Sequence, residues 1–102
     1  MLYAIHMIDR PNSAALRAKT AEKHRQFVGN YLDAMYLGGP LLDDDETPIG
    51  SLIVMDFPNR LAAEEFIAAE PYNAAGLFDR VSINCFGPVV EPPHKDATNK
   101  PR

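Results

Sequence analysis

Apolar residues fall in short blocks along this chain, and the spacing within a block separates strands from helices. The opening block, LYAIHMI at residues 2–8, is rich in strand formers and stops at DRPNS, where Pro11 marks a turn. From Ala14 to about Met35 the pattern is helical: at roughly 100° per residue, Leu16, Thr20, His24, Phe27, Val28, Tyr31 and Met35 share one sector. Lys19, Glu22, Lys23, Gln26, Asn30 and Asp33 lie opposite. Ser13 is placed to cap this helix, and Gly29 weakens or bends it at a cost of about 1 kcal/mol relative to alanine.

MYLGGPLL, residues 35–42, is broken by Gly38, Gly39 and Pro40 and reads as an irregular or edge strand. The acidic DDDETPIG is a loop, and SLIVMDF at 51–57 is a strand closed by Pro58. Asn59 caps a second helix, RLAAEEFIAAE, which Pro71 ends because the residue before a proline disfavours helical geometry. YNAAGLF is a short turn or helical piece, and DRVSINCFGPVV at 79–90 is the last strand. The tail at 91–102, EPPHKDATNKPR, has little hydrocarbon to bury and is expected to be disordered, leaving 1–90 as a single domain.

The order β-α-β-β-α-β predicts an α+β fold of the ferredoxin-like kind: a four-stranded antiparallel sheet with two helices on one face. A sheet with one wet face alternates apolar with polar residues. These strands do not: Leu2, Ala4 and Ile8 alternate with Tyr3, Ile5 and Met7, and Ile53, Met55 and Phe57 with Leu52 and Val54. The second face therefore needs a cover, and a second copy of the same sheet supplies one, which predicts a homodimer joined through sheet faces.

Composition narrows the possible partners. With 102 residues the chain is one domain of ordinary size, and 46% hydrophobic residues is ordinary for a globular protein. A formal charge of −4, with scattered Lys and Arg, argues against a nucleic-acid-binding face. The single cysteine, Cys85, rules out an internal disulfide and reads as an inert buried thiol. No apolar run approaches the ~20 residues a bilayer requires, and the opening residues lack the pattern of a signal peptide, so a cytoplasmic location without membrane contact is expected.

Chemistry is concentrated in few residues. His24 points an ionisable ring into the apolar sector of its helix. It is either a packing histidine satisfied by backbone or water, or a proton carrier, since histidine ordinarily titrates near pH 6.5. Glu70 ends the second helix, where the dipole mildly opposes a negative charge, which suggests another role for it. In this fold the two helices lie side by side, so a carboxylate can hold one imidazole nitrogen and leave the other as a base. Arg17 stands two turns before His24 on the same side. Tyr72 can donate a hydrogen bond or simply pack, and Gly38 and Gly39 can admit a ligand close to backbone or form a bulge. His6 is expected at the dimer interface. The acidic loop fails as a calcium site because Pro48 and Val54 stand where Gly and Glu are required. The three histidines, His94 in the tail included, are too far apart for a metal site, and no nucleotide-binding fingerprint occurs, so no metal and no cofactor are expected.

Several marks in this order resemble the YciI-like (YCII-related) family of small dimeric α+β barrel proteins. They are the opening strand, Arg17 and His24 seven apart, GGP at 38–40, EPY at 70–72, AG at 75–76 and the closing strand. The resemblance runs from about Leu2 to Val90, and the fold it implies is similar to that of muconolactone isomerases. It implies an active-site pair of His24 and Glu70, and an Arg17 that meets an anionic substrate group. The family pattern carries aspartate before Pro-Tyr, so Glu70 is one methylene longer than usual. The expected function is cofactor-independent proton transfer, isomerase- or lyase-like, on a cyclic or aromatic small-molecule substrate, with His24 and Glu70 catalytic and Arg17, Tyr72 and Gly39 contacting substrate. The alternative is a non-catalytic dimeric module that binds a small ligand or only pairs subunits. An accessory subunit of a larger complex would need an interaction motif, and none is visible. An open pocket faced by His24, with Glu70 behind it, favours the enzyme; a sealed His24 favours the module.

Overall fold

The protein is described here by a computed structural model covering residues 1–91. Apart from Glu91, the tail expected at 91–102, with His94, lies outside the described residues. The chain runs β1 (Leu2–Asp9), α1 (Ala14–Gly29), a 3-10 turn (Leu32–Ala34), β2 (Met35–Leu42), β3 (Pro48–Asp56), α2 (Arg60–Ala69), α3 (Pro71–Ala74) and β4 (Phe78–Cys85). The strands form one antiparallel sheet in the order β2-β3-β1-β4. This is the ferredoxin-like α+β arrangement expected from the order of elements.

Alternation along β1 decides which face is core. Tyr3, Ile5 and Met7 are buried, and they pair across the ladders with Met55, Ile53 and Ser51 on one side and Cys85, Ile83 and Val81 on the other. The helices close this face. Phe66 of α2 is the hub, with ring centroids 5.4 Å from Phe27, 4.8 Å from Tyr31 and 5.6 Å from Phe57. Offset and edge-on aromatic contacts of this kind add to the hydrophobic term.

Helix α1 is shorter than its periodicity suggests. It ends at Gly29, where the Asn30 and Tyr31 N–H groups turn back onto the Phe27 and Val28 carbonyls respectively, and the chain drops through the 3-10 turn into β2. Tyr31 and Met35 still pack against the core. Their apolar character came from facing the same core, not from belonging to the same helix. Strand β3 begins at Pro48, three residues before the block read as its start, because the Asp43 carboxylate accepts the Asp45 and Thr47 N–H groups and closes the acidic turn early. Strand β4 stops at Cys85, before Gly87 and Pro88, since proline cannot donate to a ladder. Asn59 caps α2 as expected, accepting the Ala62 N–H at 2.9 Å. Ser13 does not cap α1; its hydroxyl donates to the Pro11 carbonyl instead, at 3.4 Å.

The face opposite the helices is mixed. Leu2, Ala4, Ile8, Leu41 and Leu52 are half-buried there, Val54 is buried, and Leu37 is exposed. The β4 residues on this face, Arg80, Ser82 and Asn84, are polar and exposed, as is His6 at its centre. No described helix is long and apolar enough to cross a membrane.

Candidate active site

Four elements converge where α1 crosses the sheet beside the α2–α3 junction. That junction is set by Pro71, whose fixed φ opens α3 and leaves Glu70 in extended geometry between two helices. Glu70 is therefore not only the end of α2: its carboxylate turns inward, 2% exposed, and accepts the Tyr72 N–H through Oε1 at 3.1 Å. Capping α3 in this way answers the objection that an acid gains nothing at a helix C-terminus. The same Oε1 lies 2.9 Å from Nδ1 of His24. A carboxylate oxygen that already accepts a backbone N–H accepts here too, so Nδ1 carries a proton, and in the neutral ring Nε2 is the atom with the lone pair.

Tyr72 is buried against both partners. Its ring stacks on the His24 imidazole, centroids 4.2 Å apart and 18° from parallel, and the Arg17 guanidinium carbon lies 4.6 Å from its centroid. Burial raises its phenol above the ordinary value of 10, assisted by the Glu70 charge and opposed by Arg17 and Arg25. The hydroxyl therefore stays a donor at neutral pH.

Arg17 is the residue whose setting the sequence least suggested. It is not solvated. Nε and Nη2 donate to the two Asp9 oxygens at 2.7 and 3.1 Å, and Nη2 also reaches the Gly50 carbonyl at 3.0 Å and Ser51 Oγ at 3.1 Å. Burial works against its charge most strongly, but hydrogen bonding to Asp9 and the negative charge there outweigh it, and the guanidinium is held above its already high ordinary value. Asp9 and Ser51 were not singled out from sequence, although a signal existed. Both fall on the alternation that places Tyr3, Ile5 and Met7, or Ile53 and Met55, inside, so each is a polar group on a buried face.

These groups line a cavity of about 310 Å³, walled on its apolar side by Met7, Val28, Met35, Ile53 and Pro40. That is near the lower end for small-molecule pockets and suits a ligand of about one ring. The β2 wall depends on Gly38, where a Cβ would come 2.7 Å from Ile53 Cγ2. A Cβ at Gly39 would meet nothing, so Gly39 contributes backbone to the cavity without a packing reason to be glycine. Nε2 of His24, Oε2 of Glu70, Nη1 of Arg17 and the Tyr72 hydroxyl make no hydrogen bond among the described residues, yet no buried side-chain polar atom lacks a partner. Each of those four atoms is therefore reached by solvent, and the four residues that carry them all line the cavity. His6 lies outside it, on the opposite sheet face. Cys85, expected to be buried, is exposed at the end of edge strand β4.

The YCII-related domain model matches residues 1–87. The chain belongs to the YCII-related family. Among solved structures, this YCII chain is similar to 5-chloro-2-hydroxyhydroquinone dehydrochlorinase (TftG) from Burkholderia phenoliruptrix, a complex with 2,5-dihydroxybenzoquinone. The two are 26% identical, with a TM-score of 0.81 over 85% of this chain and 94% of that one. A candidate antibiotic biosynthesis monooxygenase from Bacteroides thetaiotaomicron is 10% identical, with a TM-score of 0.54 over 94% of each chain. A protein from Agrobacterium tumefaciens is 12% identical, with a TM-score of 0.54 over 91% of this chain and 98% of that one. The last two likenesses are of fold alone. No curated protein matches the chain.

The raised Tyr72 phenol makes a prediction about the YCII chain's stability. The folded state holds this proton more tightly than the unfolded chain, whose phenol titrates near 10, so its contribution is complete below about pH 10 and is lost as pH rises toward the higher folded value. Urea midpoints measured between about pH 8 and about pH 11 should fall less steeply for Tyr72→Phe than for the unaltered protein.

Proposed function

We propose that this protein is a cofactor-independent acid–base enzyme acting on a monocyclic hydroxylated aromatic or quinone-level metabolite. The observation that carries the reading is the His24–Glu70 pair, with Nδ1 held by the carboxylate and the imidazole lining a ring-sized cavity. His24 is the base, Glu70 fixes its tautomer, and Arg17 Nη1 and the Tyr72 hydroxyl donate to the oxygen on which negative charge develops. The similarity to TftG supports the substrate class.

The chemistry needs no external oxidant. Nε2 takes a hydroxyl proton, the O–H electron pair becomes a carbonyl bond, and the ring electron pair takes a proton at carbon; stopping there is an isomerisation. If that carbon bears a leaving group, the group departs with its bonding pair as a second hydroxyl proton is lost. The quinone produced then balances the loss of HX. Proton transfer by one positioned group supplies factors of about 10²–10⁴.

The test is a titration of the His24 ring resonances with hydroquinones, hydroxyquinones and, for comparison, lactones. Saturable shifts from the ring compounds are expected. A ring left unperturbed by every compound would remove the basis for the proposal, whereas binding without turnover would leave a ligand-binding module.

The same reading includes a homodimer in which the face carrying Leu37, Leu52 and Val54 is closed by its counterpart. Sedimentation should give twice the 11.3 kDa chain mass at micromolar concentration. A stable monomer at high dilution would contradict this arrangement.

A further inference from the structure

We infer that Tyr72 is a positioning residue that acts through its ring, holding the His24 imidazole in the plane and tautomer its proton transfer requires. The expectation from sequence was either a hydroxyl that donates to substrate or a tyrosine that packs. The geometry points to a third role, and three contacts carry it.

First, the imidazole lies nearly parallel to the phenol ring at 4.2 Å. Rotation of His24 about its own χ2 out of this plane would break that stack as well as the bond to Glu70. Second, Arg17 and His24 stand seven residues apart on α1, a rise of about 10.5 Å. Arg17 meets the same ring at 4.6 Å and is itself fixed by Asp9, so the Tyr72 ring has a rigid neighbour in addition to His24. Third, the Tyr72 backbone N–H donates to the carboxylate oxygen that holds Nδ1. One residue thus constrains the pair twice, through its amide on the Glu70 side and through its ring on the His24 side. Phe78 packs against the same ring edge-on, with centroids 6.1 Å apart.

A parallel aromatic face also favours a cation above it. The imidazolium that forms when Nε2 takes a proton is such a cation, and its charge can spread over the Tyr72 face while Glu70 balances it from Nδ1. The role does not depend on which substrate the cavity accepts.

The amide and the ring can be separated experimentally, because Tyr72→Leu keeps the backbone N–H and removes only the ring. In the unaltered protein the His24 ring protons should resonate upfield through the Tyr72 ring current, with NOEs between the two rings. The ¹⁵N shifts should show one tautomer, protonated at Nδ1. Tyr72→Phe should preserve all of these features, and Tyr72→Leu should abolish the upfield displacement and give a mixed tautomer pattern. A tyrosine that only fills the core would lose stability on truncation to leucine but leave the His24 ¹⁵N pattern unaltered, and that result overturns the inference. If Tyr72→Leu does not fold, the unaltered protein and Tyr72→Phe still decide: absence of ring-current displacement or of ring-to-ring NOEs in either one overturns it. Failure of the His24 titration with ring compounds would leave this inference standing, since its readout uses no ligand.

Discussion

Replacing Arg17 by methionine should cost about 3–5 kcal/mol of folding stability, the usual penalty for removing one partner of a buried ion pair. A domain of this length has only about 5–15 kcal/mol in total, so the variant should sit near the edge of folding at room temperature. The cost comes from what remains. The Asp9 side chain is 6% exposed and would be left buried without its partner, while the Gly50 carbonyl and Ser51 Oγ would each lose a donor. Methionine fills the volume of the arginine stem, so the loss is electrostatic more than steric. The paired change Arg17→Met with Asp9→Leu should recover most of the loss, because replacing a whole buried pair by apolar groups is often close to neutral. Denaturant midpoints for the two single variants and the double variant form the cycle. A single-variant loss below about 1 kcal/mol, typical of exposed pairs, would show that the Arg17–Asp9 pair is wet in solution.

The architecture was legible because local pattern and tertiary requirement agree along most of the chain. The run of strand formers in β1 and the Asn59 cap on α2 each reflect an interaction that spans a few residues, and such interactions leave their mark in sequence. The errors occur where a distant contact sets the local structure. Tyr31 and Met35 look helical because they face the Phe66 cluster, yet α1 has ended before them. Cys85 looks buried because it lies beside Ile83 and Phe86, but β4 is an edge strand and its end is left exposed.

The candidate site was half legible for the same reason. His24 stands out on its own helix as an ionisable ring in an apolar sector, and Glu70 beside Pro71 signals a junction. That the two approach to 2.9 Å depends on how α3 turns back toward α1, which no short segment encodes. The Arg17 network is further from view. Asp9 is eight residues away and Ser51 thirty-four, joined only by the β1–β3 register. Polar residues on the inward alternation of a strand are the signal to look for, since a charge placed there must find a partner.

Replacing His24 by asparagine should lower kcat by about 10²–10⁴ on whichever hydroxylated aromatic the protein turns over, with little change in KM. The effect falls on kcat because asparagine retains a polar head able to donate to Glu70 but has no nitrogen that can accept a proton in the transition state. The fold should be nearly indifferent. The His24 side chain is 28% exposed and lies at the rim of the core, so the denaturation midpoint should move far less than in the Arg17 variant. Glu70→Gln provides the complementary arm. It is close to isosteric, and its amide oxygen can still accept from Nδ1 and the Tyr72 N–H, but it carries no negative charge to balance the imidazolium that forms. The two losses should overlap in the double variant, since both act on one proton transfer, and residues acting as a unit are strongly non-additive. Independent, multiplying losses would mean that Glu70 touches substrate by itself. A His24→Asn loss below tenfold would assign proton transfer to another group and leave the histidine a packing role.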